Sequence, residues 1–506
     1  MGSKKVVDID TLAKITAKFR EKGKKIVHCH GCFDLMHIGH IKYFQSAKRM
    51  GDILIVTVTP DRYVVRGPGR PVFNEVLRSE SVAALDCVDY VSINRWTTAV
   101  ETIHLLKPHL YVKGADFERV ENDLTGYLAK EQEAIREVGG ELVFSNEEVF
   151  SSSKLLKDYF GVLPKELDKF LVRFTKRFNI DKVVDVLNQM QKVKTLVIGE
   201  AIIDEYNFCH VLQRVSKAPI VATRLFASES YAGGALAVAN HLAGFVDEVG
   251  MVALLGREDS REEFIRGHLK PNVTLFPCFR EDGPTVIKRR FLEEGSMQKM
   301  FEVCHFNDYP INGGTEEKVI NLLKEFLPRY DMVICADFGH GFFTKRIIDL
   351  LGREAPYLVV MAQSNSANFG FNLVTKYPRA DYVVIDHQEI KLACHDQHGE
   401  LEPMIKQISR SLNCHRINVT LGREGTLYCN NGTFYRIPVA SWKVVDTIGA
   451  GDAVLAITSP LTYLNLDPEL IAFIGNCAGA LAVQYLGNKE SVDPASLTKL
   501  IEVLMK

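Results

Sequence analysis

Short apolar and β-branched runs alternate with amphipathic stretches through most of this chain. In the first third the runs fall at 26–30 (IVHCH), 53–58 (ILIVTV), 88–93 (VDYVSI), 110–112 (LYV) and 141–144 (ELVF). Segments 40–50, 75–86, 97–106 and 127–138 carry apolar residues at helical spacing. Strand runs separated by helices predict a parallel α/β sheet. Residues 154–190 lose the strand runs. KLLKDYF, KELDKFLVRFTKRF and DKVVDVLNQMQ keep only the helical period, punctuated by Pro164. They predict a helical connector packed on one domain, because a free linker would be more polar and less periodic. Alternation resumes at TLVIG (195–199) and continues through 248–255, 332–339, 357–361, 382–386 and 417–422. Around 205–230 and 273–302 the chain reads as short strands, such as IVATRLF and TVIKRRFL, which predict a small β lid beside the second sheet. The boundaries that follow are 1–160, a connector over 161–190, and 191–506.

Composition narrows the class. At 506 residues the chain is too long for one ordinary domain. Its 46% apolar and 25% charged residues are ordinary for a globular protein, and a net charge of −2 gives no hint of a nucleic-acid or membrane-surface partner. No apolar run reaches the roughly 18 residues of a spanning helix, the first residues are not those of a signal peptide, and Val6 breaks the myristoylation pattern. The 11 cysteines are scattered and odd in number, which suits reduced thiols in a cytoplasmic protein. Cys29-His30-Gly31-Cys32 is a lone CxxC with no second ligand pair at zinc-like spacing. It reads as Cys29 ending a buried strand and Cys32 packing under the next turn, with a metal or redox motif as the alternative.

Two motifs carry chemistry. VVDTIGAGDAV (444–454) sets Asp452 at the end of a glycine-rich turn that opens a helix. Backbone N–H groups of Gly449, Ala450 and Gly451 can face a transferring phosphate there, and Asp452 can take a proton from the attacking hydroxyl. HCHGCFDLMHIGHIKYF (28–44) runs from a strand through a turn into a helix. His37 and His40 can sit on its first turn, face one ligand, and stabilise charge as pyrophosphate leaves a triphosphate.

GCFDLMHIGH, GDILIVTVTPD, RGPGRPV, Arg78, VDYV, KPHLYVKGADF and FSSSKLL follow in this order, and together they resemble the cytidylyltransferase-like nucleotidyltransferases over nearly all of 25–160. The resemblance implies a Rossmann-like domain with an HxGH site. By it, Phe33, His37 and His40 bind the nucleotide, Lys113, Gly114 and Asp116 line the site, and Ser151, Ser152 and Ser153 close over the phosphates at a helix start. Arg66 and Arg70, on a Gly-Pro-Gly loop, are candidate phosphate clamps or else a solvated basic turn. The base, ATP or CTP, stays open.

DTIGAGD resembles the anion-hole motif of the ribokinase-like (PfkB) sugar kinases, and that resemblance spans about 193–506. It implies a C-terminal ribokinase-like α/β domain with a small β lid. Asp204 of VIGEAIIDEY would grip sugar hydroxyls, and Gly233 and Gly234 of YAGGALAVAN would let the backbone approach the sugar. Thr420, Gly422 and Gly425 of VTLGREG would lie beside the adenine nucleotide. Asp386 and Glu389 of DHQE stand where the family has an Asn-x-x-Glu motif tied to Mg2+ and phosphate, and Asp for Asn keeps an oxygen ligand.

The order GGAxxxA, TVIKRR, ADFGHGFFT, VVDTIGAGDAV resembles in particular the heptose-phosphate kinase half of the bifunctional enzymes of ADP-heptose synthesis. Lys288 and Arg290, two apart on one strand face, are candidates for a phosphate already on the sugar. Three departures matter: Ala237 where these kinases usually have Asn, Ala362-Gln363-Ser364 where Asp-Pro-Lys is frequent, and a reversed module order. Asn240 is placed to replace the missing Asn if the segment is helical.

The expectation is a bifunctional enzyme. Its C-terminal domain phosphorylates a sugar or sugar phosphate, with heptose 7-phosphate as best guess, from ATP and Mg2+. Its N-terminal domain joins a sugar 1-phosphate to a nucleotide, giving ADP-heptose, and releases pyrophosphate. The alternatives are a CTP-using enzyme for another sugar or polyol phosphate, and a kinase half that binds without turnover. Small molecules are the expected partners, with a homodimer through the lid strands as family habit allows.

Overall fold

The computed structural model describes residues 4–64, 71–114, 127–145, 164–214, 221–441 and 444–505. The chain divides into two compact units, Met1–Asp168 with Thr498–Lys506, and Lys169–Leu497. Arg66, Arg70, Asp116, Ser151, Ser152 and Ser153 lie outside the described residues.

The first unit is built on β1 (Ile26–Gly31), β2 (Ile53–Val58), β3 (Tyr90–Ile93), β4 (Leu110–Lys113) and β5 (Glu141–Phe144). They pair in the order β3-β2-β1-β4-β5, every pair parallel. Central β1 is covered on both faces, so Ile26, Val27, His28 and Cys29 are all buried, the histidine by bonding Thr57 (2.8 Å). The chain moves outward from β1 to β3 and then returns to place β4 on the other side of β1. The reversal leaves a crevice at the carboxyl ends of β1 and β4, the usual ligand position of such sheets. Helix Ile9–Glu21 precedes the sheet and was not foreseen. Asp8 caps it through the Thr11 N–H (2.9 Å), and Ile9 and Leu12 cluster with Ile26, Ile55 and Leu106.

Two helices of the expected connector, Lys165–Phe174 and Ile180–Gln189, lie among the described residues. Phe170 and Phe174 pack with tilted rings against Phe473 (centroids 5.7 and 4.4 Å apart), while Arg173 and Arg177 both bond Glu469. The segment from Lys169 onward is therefore packed against helix Pro468–Ala482 of the second unit.

The second unit holds β6 (Thr195–Arg214), β7 (Val221–Gly234), β8 (Val249–Gly256), β9 (Val273–Arg280), β10 (Val286–Glu293), β11 (Lys299–His305), β12 (Met332–Asp337), β13 (Leu358–Ala362), β14 (Tyr382–Asp386), β15 (Arg416–Thr420), β16 (Thr426–Asn430) and β17 (Thr433–Ile437). One strand serves two sheets. Thr195–Glu200 of β6 lies parallel to β8, and its first five residues lie parallel to β12. From Ala201 onward β6 pairs antiparallel with β7 and, over Ile202–Cys209, parallel with β10, whose other edge carries β11. The lid thus consists of long strands rather than the short ones expected. Val273–Arg280 is not lid but the edge of the main sheet, parallel to β8.

The β16–β17 hairpin was also missed. Its two-residue turn, Asn431-Gly432, has positive φ at both positions (49° and 80°), as a type I′ turn requires. Helices Ala450–Tyr463 and Pro468–Ala482 are apolar nearly all round and buried beside the sheet, and Thr458, Ser459 and Thr462 return their hydroxyls to carbonyls four residues back. All the cysteines are free thiols. No helix among the described residues is long and apolar enough to cross a membrane.

Candidate active sites

In the first unit the HxGH turn leaves β1 directly into the β1/β4 crevice. His37 is the N-cap of helix Ile38–Arg49, with Nδ1 accepting the Gly39 N–H (3.1 Å). His40 stacks on it, ring centroids 3.9 Å apart and planes 19° from parallel. The two imidazoles thus stand together at a helix start, as expected from their spacing. Phe33 supports them from below. Its ring meets His40 edge-on (5.5 Å) and Phe44 (4.8 Å) in the core, so the buried ring is a platform and not an open ligand surface. Across the crevice Lys113 ends β4, pairs with the buried Glu131 (2.7 Å) and is followed by Gly114.

Two further residues hold this turn. Arg78, fully buried, donates to the carbonyls of Phe73 (2.9 Å), Cys32 (2.6 Å) and Thr59 (2.8 Å) and to Asp61 (2.6 Å). Asp34 accepts the N–H groups of Val72 (2.9 Å) and Phe73 (3.0 Å). A lone Arg on the packed face of helix Glu75–Ala83 is the signal that could have marked Arg78 as an organiser. Cys29 and Cys32 are both buried, and no metal-binding cluster of three ligands occurs among the described residues.

In the second unit Gly449 (φ 86°) caps helix Ala450–Tyr463, and no side chain bonds the helix start. The first intrahelical bond runs from the Ala453 N–H to the Gly449 carbonyl (3.0 Å), so the donors of Gly449, Ala450 and Gly451 have no intrahelical acceptor; that of Ala450 makes only a long contact with the Thr447 carbonyl (3.4 Å) before the helix. Asp446 braces this turn. It accepts from Ile448 N–H (3.1 Å), Gly487 N–H (3.1 Å), Tyr206 hydroxyl (3.0 Å) and Lys299 (2.6 Å). Burial pushes its carboxyl up, but Lys299 and these donors outweigh that and hold it below the usual range.

Asp452 follows on the helix, 6% exposed. Burial first, and then the nearby Asp204 carboxylate, push its carboxyl up to about 7, against the pull of the Lys288 ammonium. Asp204 is 3% exposed on β6. It bonds Arg290 (2.5 Å) and takes a long contact from Asn488 Nδ2 (3.5 Å), and a Cβ on Gly233 would lie 2.1 Å from its Oδ2. Gly233 therefore has to be glycine for Asp204 to occupy this place, while Gly234 turns the chain into helix Ala235–Leu242 with φ 59°.

Thr420 ends β15, and Gly422 (φ 57°) and Gly425 (φ 93°) form the turn beyond it. A Cβ on Gly425 would stand 2.0 Å from the Ile437 carbonyl, whereas Gly422 faces open space. Asp386 and Glu389 make a capping box at the end of β14. Both Glu389 oxygens are occupied, by the N–H groups of Ser364 (3.0 Å) and Asp386 (2.9 Å), and burial pushes this carboxyl up to about 7 despite them. Asp386 accepts from Gln388 N–H (2.8 Å) and lies beside His387 (3.2 Å). Neither is arranged as a chelator by itself.

Two expectations are corrected. Asn240 is not turned to a sugar. Its amide donates to the His268 carbonyl (2.8 Å) and accepts the Lys270 N–H (3.0 Å), clipping the loop after helix Glu262–His268. Arg290 is engaged by two carboxylates, Asp204 and Glu302 (2.8 Å), which compete with a phosphate for its guanidinium. The Lys288 side chain, on the same strand face, forms no ion pair or hydrogen bond among the described residues. Glu200 of VIGEAIIDEY and Asp337 and His340 of ADFGHGFFT, to which those motifs had lent no role, also gather at the strand ends. Burial and the neighbouring Asp337 push Glu200 up, and Asp337 itself is held by Lys376 (2.5 Å) and Tyr377 (2.7 Å).

Comparison with known proteins finds two families along the chain, the first match running past Asp168 to residue 216. Residues 28–216 match the cytidylyltransferase-like family, and residues 358–495 match the pfkB family of carbohydrate kinases. A cytidylyltransferase-like region and a pfkB carbohydrate-kinase region therefore share one chain. The N-terminal part is similar to the bifunctional protein HldE of Trichlorobacter lovleyi, 44% identical over 115 residues, which are 22% of this chain and 23% of that protein. It is similar to HldE of Aliarcobacter butzleri as well, 40% identical over 134 residues, 26% of this chain and 28% of that protein. The chain thus spans about a quarter of the length of the curated relatives it matches. Crystal structures of Escherichia coli phosphofructokinase-2, one of them in complex with substrates and products, share the fold over 62% of this chain and all of theirs, with TM-score 0.50 at 15% identity.

Proposed function

We propose that this chain is a bifunctional enzyme of nucleotide-activated sugar synthesis. The observation that carries the reading is Asp452, a buried carboxyl held near neutrality at an uncapped helix start, close to Asp204 and to Lys288. A sugar hydroxyl attacks the γ-phosphorus of ATP and passes its proton to Asp452. The N–H groups of Gly449, Ala450 and Gly451 stabilise the transferring phosphoryl, and ADP leaves. Asp204 orients the sugar, and Thr420, Gly422 and Gly425 lie on the nucleotide side. Mg2+ enters as part of the ATP substrate, since such ions keep several waters and need only one or two carboxylates. Asp386 and Glu389 are the candidates for that contact, each of which would exchange a capping-box hydrogen bond for it. Heptose 7-phosphate is the acceptor that best fits the sequence order of the motifs.

In the N-terminal unit a phosphate oxygen of a sugar 1-phosphate attacks the α-phosphorus of a nucleoside triphosphate, and pyrophosphate leaves. His37 and His40 stabilise the charge that develops at the helix start. ADP-heptose is the product favoured by the similarity to the HldE proteins. The match to the cytidylyltransferase-like family favours a second reading with CTP, which pyrophosphate release measured with each nucleotide separates. Exposed apolar residues on the lid strands, Leu225, Phe226, Phe301 and Val303, support a homodimer through that sheet. The location fits the cytoplasm, where both nucleotides are found.

The test is an ADP-release assay with ATP, Mg2+ and a panel of sugars and sugar phosphates, run beside a pyrophosphate-release assay. Asp452→Ala abolishes ADP release and spares pyrophosphate release, and His37→Ala does the reverse. Equal loss of both activities in either variant refutes the two-site reading.

A further inference from the structure

His340 sits on a loop whose backbone is fixed from several sides. Glu200, where β6 leaves the main sheet, accepts the N–H groups of Phe338 (3.1 Å) and His340 (3.0 Å). Gly339 and Gly341 flank His340 with φ of 72° and 86°. A Cβ at the first would lie 2.2 Å from Asn368 Nδ2, and at the second 2.1 Å from the Tyr309 carbonyl oxygen. Neither glycine can be replaced without moving the loop. The imidazole is 1% exposed, and neither of its ring nitrogens has a hydrogen-bond partner. A buried polar group left unsatisfied is destabilising, so a ring with both nitrogens bare calls for a ligand group.

Its surroundings indicate which. The Phe306 ring lies 4.7 Å to one side. Burial, then Lys288 and Arg280, hold the imidazole down to about 3, so at neutral pH it is uncharged and keeps one N–H to donate. Arg280 is consumed by Asp282 and by the carbonyls of Asn307, His340 and Tyr309. Among the described residues the Lys288 side chain has no such partner, and its charge reaches both His340 and Asp452. A neutral acceptor would leave this buried ammonium unpaired beside the catalytic carboxyl, which is unfavourable.

We propose that His340 and Lys288 together bind an anionic group already present on the phosphoryl acceptor, a phosphate monoester, and so hold the attacking hydroxyl against Asp452. The assignment rests on the kinase reading above and moves the anion contact from Arg290 to His340. His340 donates one hydrogen bond to a phosphate oxygen, and Lys288 supplies the charge that fixes its position. Glu200 is the positioning residue that keeps the His340 backbone in place.

The experiment compares paired acceptors on the full chain: fructose 6-phosphate with fructose, ribose 5-phosphate with ribose, and sedoheptulose 7-phosphate with sedoheptulose. The wild type is expected to prefer the phosphorylated member. In His340→Ala and Lys288→Met the ratio of kcat/KM between phosphorylated and unphosphorylated members falls at least tenfold, mostly through KM, and His340→Gln recovers part of it because the amide restores a donor. Inorganic phosphate at millimolar concentration raises the thermal unfolding temperature of the wild type and not that of Lys288→Met. A ratio unchanged in His340→Ala, or lost equally for both members, overturns the proposal and leaves His340 a buried structural residue. Wild-type turnover of unphosphorylated sugars alone overturns it while leaving the kinase reading intact. Silence on every acceptor removes the kinase reading and this proposal with it.

Discussion

Replacing Asp452 by Asn separates the chemistry of this carboxyl from its effect on the fold. Burial and Asp204 raise the group from the ordinary 3.8 to about 7. The folded state therefore favours the neutral acid, and stability is greatest below 3.8 and falls as pH rises towards 7. Each decade is worth about 1.4 kcal/mol, so at about pH 8, where both states are ionised, the charge costs the fold about 4 kcal/mol. At about pH 5 the folded group stays protonated while the unfolded chain has ionised, and the cost is about 2 kcal/mol. Asn has nearly the same shape and does not titrate. Glu200 titrates in both proteins and drops out of the difference, while Glu389, whose charge is the smallest of the influences raising Asp452, enters it only as a minor contribution.

Asp452→Asn is thus expected to gain about 2–3 kcal/mol over the wild type on going from about pH 5 to about pH 8. Hydrogen exchange over helix Ala450–Tyr463, compared between variant and wild type at each pH, reads this as about 30- to 100-fold more protection at the higher pH. ADP release should fall by about 10²–10⁴-fold, and the wild-type rate should rise with pH through about 7 as the base ionises. A protection difference that is flat with pH, or a variant less protected at pH 8, refutes the claim that Asp452 is a raised, buried carboxyl.

Three further outcomes follow from the packing. Gly233→Ala pushes its methyl group against Asp204, 2.1 Å away, and should abolish ADP release while pyrophosphate release continues. Asn240→Ala loses two backbone bonds and should lower stability by about 1–3 kcal/mol, with KM for the acceptor unchanged; a selective rise in that KM would reinstate it as a sugar contact. Arg78→Met leaves three carbonyls and Asp61 without their donor, and is expected to cost about 3–5 kcal/mol and to stop pyrophosphate release; a fully active variant would show that the HxGH turn holds itself.

Periodicity and motif together determined a good deal of this protein. Ile53–Val58 and Glu141–Phe144 were legible as strands because an apolar run bounded by turns is a local property. The helix start at Gly449 was legible for a similar reason: a glycine-rich turn before an apolar stretch admits few conformations. His37 and His40 were legible as a pair because helical spacing alone brings them together.

What the sequence left open depends on contacts distant along the chain. That β6 crosses from the main sheet into the lid is decided by the partners it meets, β8 and β12 below and β7 and β10 above, and no residue of β6 announces the change. Lys288 and Arg290 are alike in sequence, two cations on one strand face. Only the carboxylates across the strands, Asp204 and Glu302, occupy one and leave the other unpaired. Asn240 was one helical step from a sugar site by spacing, and the loop at His268–Lys270 claimed it. His340 drew no reading from its motif, because its backbone is fixed by Glu200, 140 positions earlier. Local sequence sets which backbone shapes are accessible. Which polar groups are satisfied, and which remain bare for a substrate, is settled only when the chain has folded and the desolvation of each charge is balanced by a neighbour or is not.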